Sequence, residues 1–170
     1  MSSPEQERLS KIRARAERLL KAYPREDTGF APDILKSLRF VDLRLKATPD
    51  GRETAETVHE IEVTSNMLNG KGTCHGGCMA WLLDVCTSYA VAALGDENSF
   101  KNGGISTDIA IRYLAPGKLG DTLVITSRTL RKGKRFAQAA VDFHLKDGTL
   151  VATGTHAKMD VDPRNRPSKL

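Results

Sequence analysis

Aromatic side chains make up only 5% of this 170-residue chain, and cysteine occurs three times. So few aromatics leave few platforms on which bases could stack, and no zinc-finger or RNA-binding motif is present, so nucleic acid is not an expected partner. Cys74, Cys78 and Cys86 are odd in number, lie within one short segment and form no C-x-x-C spacing. Neither a disulfide framework nor a zinc knuckle is indicated. The opening stretch MSSPEQERLSKIRARAERLLKAYP contains several glutamates and no apolar core of the kind a secretory signal needs; a mitochondrial presequence, poor in acids, fits it badly. The expectation is a cytoplasmic protein, with a mitochondrial address left open.

What is there is ordinary in bulk. Charged residues reach 28% and hydrophobic ones 39%, the balance of a soluble globular chain long enough for one domain with a real core. The net charge of +5 is concentrated in KIRARAERLLK, in RTLRKGKR (128–135) and in the tail RNRPSK. Such runs are commonly solvated faces, and a few lysines suit a phosphorylated small molecule better than a polymer.

Residues 4 to 22 place Leu9, Ile12, Ala16, Leu19 and Leu20 at helical spacing, and Tyr23-Pro24 ends the pattern. We read residues 1–35 as an amphipathic helical extension and linker, 36–162 as the main domain, and 163–170 as a basic tail. After the linker DTGFAPD the period changes to two. LRFVDLRLKA and ETVHEIEV flank the turn signal TPDGR and predict an antiparallel hairpin. Beyond a loop and long helix within 66–94 come four strand-like segments, GISTDIAIRYLA, DTLVITSRTLR, RFAQAAVDFHL and TLVATGTHAKMDV. Two strands, one helix and four strands predict an α+β layer architecture, with the sheet curved around the helix.

That helix is apolar nearly all round, so it needs cover on most of its circumference. Yet Asp84 sits in its middle. A central Asp in a membrane span would cost on the order of 3 kcal/mol, and Thr87 and Ser88 add polarity, so a buried helix is expected and no membrane span.

Asn69-x-x-Gly72-x-x-His75-Gly76-Gly77, followed after six residues by Asp84, opens this helix, and S-x-D-x-x-x-x-Y-x-x-P begins at Ser106 on the following strand. This combination resembles the hotdog-fold acyl-coenzyme A thioesterases, in the branch of the phenylacetate-pathway and superfamily-member-2 enzymes, over about residues 35 to 160. The resemblance implies an antiparallel sheet of about six strands wrapped around one central helix, here with an extra N-terminal helix. It further implies hydrolysis of acyl-coenzyme A without a metal or prosthetic group, by a homodimer whose two sheets join and which commonly pairs into a homotetramer. By resemblance Ser106 is the serine that positions the acid or its water.

The residues support the same chemistry on their own. Gly76 and Gly77 open a helix, where amides lack intrahelical partners and the dipole favours negative charge, so a thioester carbonyl can approach an oxyanion hole. Asp84 is then a general base or a direct nucleophile, with Leu82, Leu83 and Val85 desolvating it. A buried Asp can also simply satisfy a neighbour. Asn69 is expected to hold the carbonyl or orient water, unless it only forms a turn before Gly70. His75 is expected to fix the loop by hydrogen bonding, and Ser88 lies one turn beyond Asp84 on the same face. Lys132, Lys134, Arg135 and Arg112 are candidates for the phosphates of coenzyme A.

Eight residues separate Gly76 from Asp84, about 12 Å along one helix, so both can act on one thioester only from different subunits. Other readings are an acyl transferase using Cys78 in the first helical turn with His75 nearby, a non-catalytic acyl-coenzyme A binder acting through its N-terminal segment, and a dehydratase of the same fold.

Overall fold

The computed structural model describes residues 29–96, 98–101 and 103–161, together with residues 6, 7, 10–12 and 14. Of the helix expected over 4 to 22, the described residues are helical; the others, like the tail 163–170, lie outside the described residues.

The linker expected before the first strand ends instead in a short helix, α1 (Pro32–Ser37). Proline at the helix start fixes φ where no amide partner is needed, and the Ser37 hydroxyl bonds back to the Asp33 carbonyl at 3.0 Å. At six residues it is too short to register as a periodic pattern, yet it buries Ile34 and Leu35 in the main core.

The hairpin follows as β1 (Arg39–Ala47) and β2 (Glu53–Glu62), then α2 (Gly76–Ala93), β3 (Ile105–Tyr113), β4 (Thr122–Lys132), β5 (Phe136–Leu145) and β6 (Leu150–Met159). All neighbours pair antiparallel in the order β1-β2-β4-β5-β6-β3. The strand that follows the helix thus crosses to the far edge of the sheet, beside β6.

α2 packs against β2, β3, β4, β5 and β6. Leu82, Leu83, Cys86, Tyr89 and Val91 are buried, which is why the helix can be apolar almost all round. Its mean hydropathy of 1.2 and 18 residues would pass for a membrane span, but it is the central element of a packed core. Gly154 on β6 makes the fit possible: a Cβ there would stand 2.6 Å from the Ala110 carbonyl and collide with the Leu83 side chain. Helix and edge strand can therefore close on β6 only across a glycine.

Candidate active site

The loop before α2 is built around Asn69. Its Oδ1 accepts from the Lys71 and Thr73 amides at 2.8 and 3.3 Å, and its Nδ2 donates to Thr73 Oγ1 at 3.0 Å. This is the turn-forming role, and it uses one of the two N–H donors of the amide. His75 caps the helix: its Nδ1 accepts from the Gly77 amide at 2.9 Å. Of the two glycine amides expected to face an oxyanion, Gly77's is therefore committed, while Gly76's has no acceptor among the described residues. A Cβ on Gly77 would press on the His75 ring at 3.1 Å, so the cap needs glycine there. Tyr113, at the end of β3, donates its hydroxyl to the Gly76 carbonyl at 2.7 Å and fixes this helix end from the edge strand.

Asp84 lies further along α2, at the other end of β3. Ser106 donates to its Oδ1 at 3.0 Å, the contact expected of that serine. Ser88 gives its one hydroxyl proton to the Asp84 carbonyl at 2.6 Å and so does not donate to the carboxylate, 3.4 Å away. Two residues from β6 complete the surroundings: Lys158 Nζ at 3.5 Å and His156 Nε2 at 3.6 Å from Oδ1. Oδ2 has no hydrogen bond among the described residues, and the side chain is 39% exposed. The desolvating shell expected from Leu82, Leu83 and Val85 does not form: Leu82 and Leu83 turn into the core, Val85 packs against it partly buried, and the carboxylate meets the Ser106 hydroxyl and the Lys158 ammonium.

His156 is fully buried: its Nδ1 lies 2.6 Å from Thr87 Oγ1, which is equally close to the Leu83 carbonyl, and its Nε2 has no hydrogen-bond partner among the described residues. Burial first, then the Lys158 charge, push this imidazole down to about 4, so it is neutral at neutral pH. Burial also lowers Lys158 from the ordinary lysine range, with Asp84 opposing.

Sequence reasoning missed Lys158, His156 and Tyr113. The signal for the first two is alternation on β6: Gly154, His156 and Lys158 share the buried face under the helix. The phosphate candidates do not gather in one protomer. Lys132 is tied to the loop after α2, donating to Ser99 Oγ at 2.7 Å and lying 3.7 Å from Asp96. Lys134 and Arg135 are exposed in the β4–β5 turn, and Arg112 is exposed on β3 opposite Thr153. Cys78 is half-buried, and contact with the Cys74 thiol holds its own thiol below the ordinary range. His75 Nδ1 is already occupied by the Gly77 amide and cannot serve Cys78 as a base.

A long helix laid across a six-stranded antiparallel sheet of this order is the hotdog fold. The thioesterase superfamily matches residues 71–152. Acyl-coenzyme A thioesterase 13 of Homo sapiens is 35% identical over 126 residues, covering 74% of this chain and 87% of that one. The crystal structure of zebra fish thioesterase superfamily member 2 superposes with a TM-score of 0.64 at 28% identity, covering 88% of this chain and 93% of that one. A hypothetical thioesterase protein of Streptococcus pneumoniae TIGR4, solved with coenzyme A, does so with a TM-score of 0.58 at 26% identity, covering 73% and 89%. The chain belongs to the thioesterase superfamily.

Proposed function

We propose that the protein hydrolyses acyl-coenzyme A thioesters, with Asp84 as general base and the Gly76 amide as oxyanion donor, in a site shared by two copies of the chain. The observation that carries this reading is the open Oδ2 of Asp84, left free while Oδ1 is held by Ser106. Oδ2 takes a proton from water as the water oxygen bonds to the thioester carbon. The developing oxyanion lies against the Gly76 amide and the helix dipole, with the second N–H of Asn69 in reserve. Collapse breaks the C–S bond, and the thiolate of coenzyme A leaves with the proton that Asp84 took up.

Acyl-coenzyme A as substrate is supported by the names of the relatives and by the coenzyme A in the Streptococcus pneumoniae structure. Sharing across a dimer is supported by β3. Ser106 anchors the Asp84 end and Tyr113 the Gly76 end, seven residues away on one edge strand. An antiparallel pairing of two such edges about Ile109 sets the first end of one copy against the second end of the other. The same pairing brings the partner's Arg112 toward the turn bearing Lys134 and Arg135, where phosphates could be met from both sides.

Thiol release from a panel of acyl-coenzyme A esters tests this. Asp84→Asn is expected to lose at least ~100-fold in kcat while keeping its fold and association state. Binding of acyl-coenzyme A by the native protein without turnover would leave a binding module instead, and full activity in Asp84→Asn would remove the carboxylate from the mechanism.

A further inference from the structure

Lys158 is 3% exposed, and a buried ammonium is kept only where something pairs with it. Its Nζ donates to Ser88 Oγ at 2.8 Å and stands 3.5 Å from both Asp84 Oδ1 and Ser106 Oγ. Because the Ser88 proton goes to the Asp84 carbonyl, the lysine is the donor in the Ser88 contact. Lysine, Ser106 and Ser88 thus surround one carboxylate oxygen and leave the other open.

We propose that Lys158 is a positioning residue of this centre: its ammonium clamps Asp84 Oδ1 and Ser88 so that Oδ2 alone is presented to the attacking water. The proposal rests on the general-base reading of Asp84. The charged and titratable groups around the lysine are Asp84 from α2, His156 from β6 itself and Asp108 from β3, which acts on His156; its β5 neighbour Ala137 is uncharged. With His156 neutral, Lys158 is the cation facing Asp84 among the described residues. Burial makes this lysine give up its proton below the ordinary lysine range, so the clamp carries its own basic limb in turnover.

The test is kcat and KM for decanoyl-coenzyme A across about pH 6 to 10 with the native protein, Lys158→Met, Lys158→Arg and Asp84→Asn. Lys158→Met is expected to lose ~10- to 100-fold in kcat, with KM changed less than about threefold, because a loosened carboxylate is misplaced rather than removed. Lys158→Arg, charged throughout, is expected to recover part of the rate and to carry the basic limb upward. A lysine that only filled space would move neither kcat nor the limb. Native kcat in Lys158→Met, or an unmoved basic limb in Lys158→Arg, overturns the proposal; if the methionine variant does not fold, the arginine profile decides. An active Asp84→Asn would instead remove the base reading, whereas an inactive Asp84→Asn beside a native-like Lys158→Met would remove the clamp alone.

Discussion

The two edges of the sheet are finished differently. β1 is laced with charge: Arg39 pairs with Glu60 at 2.6 Å, and Arg44 and Lys46 both reach Glu56 at 3.3 Å, while none of its large hydrophobics is exposed. Exposed pairs of this kind add only about 0–1 kcal/mol each, but they make an edge a poor template for another strand. β3 has no such cover. Ile105, Ile109 and Tyr113 are 46%, 38% and 51% exposed, and the strand's outer hydrogen-bonding edge is unpaired among the described residues. A bare apolar edge is a liability unless it is an interface, and β3 is the strand that touches both ends of the candidate site. The protected edge marks where the fold ends, and the bare one is the edge on which the proposed sharing of the site with a second copy rests.

Charging the bare edge should break this contrast most severely. Ile109→Lys, at the middle of β3, is expected to dissociate the protein and to lower turnover by at least ~100-fold, since each copy would keep only half of the reacting groups. Arg44→Ala on β1 should change neither, with stability within about 0.5 kcal/mol of native. Light scattering and thiol release read both variants. An Ile109→Lys protein that stays associated and active would mean that the site is complete in one chain. Tyr113→Phe sharpens the contrast more gently. It removes the 2.7 Å bond to the Gly76 carbonyl and keeps the ring, so about 1 kcal/mol of stability and a several-fold loss in kcat are expected.

Much of this was legible because the strands alternate cleanly and their separators are turn chemistry. All six fell within three residues of their expected ends. Ser106 beside Asp84 was expected from the family resemblance, and α1 was not expected, being shorter than any periodic signal. Lys158 and His156 were hidden for a different reason. On β6 they are merely alternate residues of a polar-looking strand, and only the sheet order, which seats β6 between β5 and β3 beneath the helix, turns them toward Asp84. Lys132 erred the other way: a basic turn looks available for phosphate until the loop after α2 folds back and takes it. Long-range partners of this kind carry no local signature.

Toward each edge of the sheet, on the face that carries α2, a histidine is buried, and these should separate stability from turnover. His59 on β2 lies between the rings of Phe40 and Tyr89, each 5.4 Å away, with neither nitrogen partnered among the described residues, and burial pushes it down to about 3 from 6.5. His156, beside β3, is pushed down to about 4. Both folded values lie below the unfolded one, so the unfolded chain takes up protons first as pH falls. Their contribution is complete above about pH 6.5 and drains away as pH drops toward 4, at up to about 1.4 kcal/mol per pH unit for each histidine. His59→Phe removes one of these titrations while keeping an aromatic ring in an apolar slot. Urea unfolding at pH 7, 6 and 5 should give about half the native acid dependence, and turnover at pH 7 should stay within about twofold because His59 touches nothing around Asp84. An unchanged slope would assign the whole acid response to the β6 side, where His156 and Lys158 would then couple stability to the chemistry directly.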